Sequence, residues 1–291
     1  MKKWEKNSLK NIIRSPILKI IIGGLTCILI PVLINKLVLD NLFSVLGFNE
    51  NLNRGIRVII TTLILMPLLY IFLFSKLENR KVTEFVFRNN SVSVSISFIL
   101  SIIIIGISFM LMLWMGFINV SPGQFPKNII VNVIIILGLV ITEEIFFRGI
   151  FYRIIEDRWG TVIALASSAL IFSLMHLENE NASFMTFLSV ITGGAVLGIL
   201  YTYTKSLLVP IAFHFGWNLI QVFLGYGLSG GDEFSELYVF KLKLSGSDII
   251  TGGMSGIENS VIAVLILIIV FIVLYKKSYD SNKTILLKRE R

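Results

Sequence analysis

One cysteine in 291 residues leaves no partner for a disulfide within the chain and no thiolate set for a metal. Cys27 sits in an apolar run, where a lone thiol is inert packing. Charge is nearly as scarce. Only 15% of residues are Asp, Glu, Lys or Arg, against 55% hydrophobic, and a soluble domain of this length exposes far more charge. There are two histidines, so any histidine chemistry rests on both. The chain also lacks internal repeats and low-complexity tracts. That removes solenoids and disfavours a transporter, which calls for internal symmetry and broken helices.

Long apolar runs are what the chain has, at a mean hydropathy of +0.84. Runs able to cross a ~30 Å hydrocarbon core recur throughout. Eight are read, over 17–39, 56–77, 92–119, 129–155, 161–177, 184–204, 206–227 and 258–275. The expected fold class is therefore all-α, a polytopic membrane protein of about eight transmembrane helices. The net charge of +8 is distributed as such a protein requires. With the N-terminus inside, the outer segments hold only Lys36, Arg54, Arg57, Lys127, Lys241 and Lys243. Arg148 lies within a span, and the other Lys and Arg are inner. This bias predicts a multi-pass cell-membrane protein with both termini cytoplasmic. The basic ends then meet anionic lipid of the bilayer rather than nucleic acid. The N-terminal segment is basic then apolar, as in a signal peptide. Its apolar stretch is too long and lacks a small-residue cleavage site, so it is expected to stay as the first span.

Two loops stand out. Residues 77–91 are charged and inner, and are expected to lie as a short amphipathic segment on the head groups. Residues 228–257 form the longest connection, outer and rich in Gly and Ser, suited to a lid, a binding segment or a plain linker. Gly23-Gly24 and Gly193-Gly194 are expected to permit close helix contacts.

Ionisable groups in hydrocarbon cost roughly 2.5–3.5 kcal/mol each on insertion scales, so each needs a reason. Here they gather in the second half of the chain. The fourth span holds Glu143, Glu144 and Arg148, the fifth ends in Phe172 to His176, and the seventh carries His214 and Asn218. Pairs four residues apart share a helix face, as His214 with Asn218 and Phe172 with His176. Glu144 and Arg148 are also four apart, acid first, the favoured order for an intrahelical ion pair. Glu143 points about 100° away and is less easily paired. An ion pair that fixes helix packing accounts for Glu144 and Arg148. It does not account for Glu143, because one arginine needs one partner. An unpaired carboxylate in a low-dielectric site suits a general base for water.

Three motifs follow in order: EEIFFR fits EExxxR, FSLMH fits FxxxH, and HFGWN fits HxxxN. Together they resemble the CAAX-protease and bacteriocin-processing family (CPBP, or ABI) of intramembrane glutamate endopeptidases. The resemblance covers about 125–228. It divides the chain into 1–120 with three helices and no motif, 121–228 with the motifs, and 229–291 with the outer loop, last helix and basic tail. It implies an eight-helix fold around a polar intramembrane cavity. By the same resemblance Glu143 activates the hydrolytic water with help from His176, and His214 and Asn218 bind the oxyanion as neutral donors. Glu144, Arg148 and Phe172 support the site. No cofactor is expected. The alternative is zinc held by Glu143, His176 and His214, whose ligand types suit that ion.

The expected function is hydrolysis of a membrane-associated or secreted peptide. The abundance of Ile, Lys and Asn points to an AT-rich bacterial source, hence to peptide maturation or bacteriocin self-immunity rather than prenylated substrates. The alternative is a non-catalytic scaffold, an immunity or cell-wall regulatory protein of the same family. Oligomeric state is left open. Depth raises one difficulty: at ~1.5 Å per residue Glu143 lies ~20 Å from the inner charges at Glu156, yet His176 is two residues from the outer polar run ENENAS. Either the fifth helix is tilted or shifted, or Glu178 and Glu180 line the cavity.

Overall fold

A backbone that crosses hydrocarbon must bond its own N–H and C=O groups, and the apolar runs do so as helices. The computed structural model describes residues 15–47, 49–88, 90–123, 128–228, 234 and 237–286. In chain order the helices are α1 (Pro16–Leu46), α2 (Glu50–Leu77), α3 (Ser91–Trp114), α4 (Ile129–Trp159) and α5 (Thr161–His176). They continue with α6 (Phe184–Thr204), α7 (Leu208–Leu224), the one-turn α8 (Asp248–Thr251) and α9 (Val261–Asp280). By length and composition six of them can cross a bilayer; α5 and α7 are apolar but shorter. The protein is an all-α polytopic membrane protein. The basic start of the chain, residues 1–14, lies outside the described residues.

Three sequence expectations change in detail. The third span stops at Trp114 rather than 119, because Ile118–Pro122 (β1) pairs antiparallel with Phe240–Leu244 (β2), Ile118 opposite Leu244. Ile118 is buried, and Leu242 and Leu244 pack against the same core. The long connection before α9 is thus partly ordered onto the bundle. The charged segment between α2 and α3, expected on the head groups, is not helical among its described residues. Glu78 and Glu84 turn inward onto Arg153 of α4, so the segment folds against the bundle end rather than lying flat. Of the glycine pairs, Gly23, Gly24 and Gly194 do sit against neighbouring helices, whereas a Cβ at Gly193 would meet nothing within 4 Å and Gly193 lines a cavity.

Connections alternate between two ends. At the end expected to be cytoplasmic, Lys19 meets Glu78, Leu207 N–H donates to Glu84 O, Lys205 meets Glu156 and Thr161 N–H donates to Ile285 O. The small sheet, the 177–183 turn and α8 occupy the other end. Helix α6 packs between α5 and α9, with the backbone of Ala169 3.2 Å from where a Cβ on Gly194 would stand. Helix α7 packs along α3, where Ser97 Oγ donates to Val209 O at 2.9 Å. Helix α7 is thus walled by α3, α4 and α6, with β2 also against it.

Candidate active site

Helix α4 changes its winding where its charges stand. Ile129–Glu144 is α-helical and Ile145–Tyr152 is a π-helix, a widened turn that recurs at functional sites. The two glutamates at this junction differ in surroundings. Glu144 is fully buried, and its Oε1 accepts from Arg148 Nη1 at 2.8 Å and from His214 Nδ1 at 2.9 Å. Arg148, also fully buried, donates from Nη2 to Gly194 O at 3.2 Å and lies 4.7 Å over the Phe172 ring. The pair read from the i, i+4 spacing is present, and it reaches α6 and α7 as well.

The Glu143 side chain keeps 34% of its surface exposed. His214 Nε2 stands 3.7 Å from its Oε2, too long for a direct hydrogen bond. One imidazole of α7 therefore touches both acids. Nδ1 faces the buried one and Nε2 the open one.

His176 ends α5. Its Nδ1 faces Phe172 O at 2.8 Å, and a carbonyl only accepts, so Nδ1 is the donor and Nε2 is the nitrogen left for other partners. Phe172 is fixed between polar groups, edge-on to His176 at 4.5 Å and to His214 at 6.2 Å between ring centres. It holds the two imidazoles apart while its face covers Arg148.

His176, His214 and Asn218 line one small cavity of about 40 Å³, together with the polar residues Ser189, Trp217 and Glu258. Glu143 is not in that lining and adjoins it through His214. The depth difficulty has a simple solution. Helix α5 has 16 residues, about 24 Å at 1.5 Å per residue, so it ends at the depth of the cavity. Neither Glu178 nor Glu180 is among the lining residues.

Glu258, Trp217, Gln221 and Ser189 join the site without a motif of their own in the sequence. Trp217 and Gln221 continue the His214–Asn218 face at helical spacing, which is a usable signal. Glu258 precedes an apolar run and passes for a span boundary. Among the described residues no three His, Cys, Asp or Glu side chains stand close enough together to hold one metal ion.

Residues 124–220 match the sequence model of the family described as Rce1-like, Type II CAAX prenyl endopeptidase Rce1-like. This is the CAAX-protease family that the three motifs resemble, and the match ends just past Asn218. Neither a curated protein nor a solved structure matches the chain.

Proposed function

From that family match we propose that the protein is an intramembrane endopeptidase in which Glu143 activates water without a metal. One observation carries the reading: two adjacent glutamates have divided environments. Glu144 is buried and bonded to Arg148 and His214, whereas Glu143 is open beside His214 Nε2. The substrate class is a peptide bond of a membrane-associated or secreted peptide.

In this reading Glu143 takes a proton from water as the water oxygen bonds to the peptide carbonyl carbon. The carbonyl oxygen becomes an oxyanion, stabilised by donors already in place. Asn218 supplies its amide N–H. His214 donates from Nε2 while Nδ1 donates to Glu144, so in this step it acts as an imidazolium. His176, with Nε2 available, orients the water and relays the proton to the leaving amine as the C–N bond breaks.

The test is purified protein with a cleavable membrane peptide, wild type beside Glu143→Gln, each before and after prolonged chelation. The expected result is metal-independent cleavage by the wild type and none by Glu143→Gln. Zinc-restorable loss on chelation would favour the metal reading, since bound zinc would use the glutamate and both histidines as ligands. Full activity in Glu143→Gln would remove the glutamate mechanism.

A further inference from the structure

One stripe of α7 carries His214, Trp217, Asn218 and Gln221, spaced three and four residues apart and hence on one face. His214 is held from one side by Glu144. The other end of the stripe is held by a residue far along the chain. Glu258 lies in the 3₁₀ turn Ile257–Asn259 ahead of α9 and is 5% exposed. Its Oε2 accepts from Trp217 Nε1 at 2.5 Å and from Gln221 Nε2 at 3.0 Å. Its own N–H donates to Gln221 Oε1 at 3.3 Å, and its carbonyl accepts from Ser189 Oγ of α6 at 2.7 Å.

The segment TGGMSGIENS is built to hold this placement. Gly252 (φ 80°) and Gly256 (φ 100°) adopt conformations that favour glycine. A Cβ at Gly252 would stand 2.0 Å from Gly256 O, and one at Gly256 would stand 2.7 Å from Gly227 O. Ser255 Oγ donates to Asn181 O, and Ser260 caps α9 by accepting Ala263 N–H at 3.1 Å. The turn is thereby fastened to α6, α7, α9 and the 177–183 connection.

Asn218 lies between these two anchors on a shared cavity wall. We propose that Glu258 is a positioning residue for the peptidase reaction: by holding Trp217 and Gln221 it sets the rotation of α7 and aims the Asn218 amide at the developing oxyanion. This rests on the proposed peptidase function.

The experiment measures kcat, KM and melting temperature for Glu258→Gln, Trp217→Phe, Asn218→Ala and the double variant Glu258→Gln/Asn218→Ala, with Glu143→Gln as the reference. A misplacement near 1 Å lowers turnover about 10²-fold, and that is the loss in kcat expected for Glu258→Gln, with KM little changed. In the Asn218→Ala background the same substitution has no amide left to misdirect and produces no further loss. Should Glu258→Gln fail to fold, Trp217→Phe carries the same comparison by deleting one donor. Wild-type kcat in these variants, or an equal loss with and without Asn218, overturns the proposal while leaving the function intact. Cleavage by Glu143→Gln overturns the function, and this proposal with it.

Discussion

Two clusters of buried charge in this protein look alike in composition and differ in saturation. At the end expected to face the cytoplasm, Glu78 and Glu84 are served by Lys19, Arg80 and Arg153, so cations outnumber these acids. All four carboxylate oxygens are bonded. Glu78 Oε1 accepts from Lys19, and its Oε2 from Arg80 and Arg153. Glu84 Oε1 accepts from Arg80 and Tyr70, and its Oε2 from Arg80 and the Thr83 N–H. At membrane depth cations do not outnumber the acids. Glu143 and Glu144 share one arginine and one imidazole, and Glu144 Oε2 has no hydrogen-bond partner among the described residues. A cluster with every acceptor filled is a fastening between elements. One with an acid left open beside a cavity retains capacity for chemistry.

The comparison breaks most visibly at its structural pole. Arg153→Met removes the guanidinium that links α4 to the 78–90 connection. Losing one partner of a buried pair costs about 3–5 kcal/mol, and the lower end is expected because Arg80 and Lys19 remain on Glu78. Turnover per folded molecule should not change. Denaturation of purified variants, with active-site titration, checks both halves.

At the other pole the expected effect is on rate. Asn218→Ala should lower turnover by about 10²–10³, as loss of one oxyanion donor does, and should leave the melting temperature near wild type. A variant that melts early but turns over normally would place Asn218 with the fastenings.

Acid should distinguish the clusters more gently. Burial pushes the Glu78 and Glu84 carboxyls up, but Arg153, Arg80 and Lys19 at Glu78, and Arg80 and Arg153 at Glu84, outweigh it and hold both below the ordinary 4.5. A depressed folded-state value means that the unfolded chain binds the extra proton. The stabilisation is therefore present above pH 4.5 and is lost as pH falls below it through the folded-state values. Melting curves on either side of that pH should diverge in the wild type and less so in Glu78→Gln/Glu84→Gln.

How much of this is legible in the sequence follows from how local each feature is. The Glu144–Arg148 pair and the His214–Asn218 face are one-turn relations, and spacing reveals them. The saturation of Glu78 is not local, since Arg153 is 75 residues away and Lys19 is 59. A charged connection that folds inward therefore looks like one lying on head groups. The π-helical turn of α4 has no signature in a period count, and neither does the end of α3 at a strand whose partner lies 120 residues on. Glu258 is hidden for another reason. A lone acid before an apolar run is read as the edge of a span, and only the fold shows that it faces a cavity.

The adjacent glutamates bring the whole contrast into two side chains, so one paired measurement tests it most directly: melting temperature and cleavage rate for Glu143→Gln and Glu144→Gln in the same detergent. Glu144→Gln leaves Arg148 uncompensated and should lose about 3–5 kcal/mol of stability. Glu143→Gln should melt with the wild type and cleave nothing. Equal melting of the two variants, or turnover surviving in Glu143→Gln, would contradict the division of one acid for structure and one for chemistry.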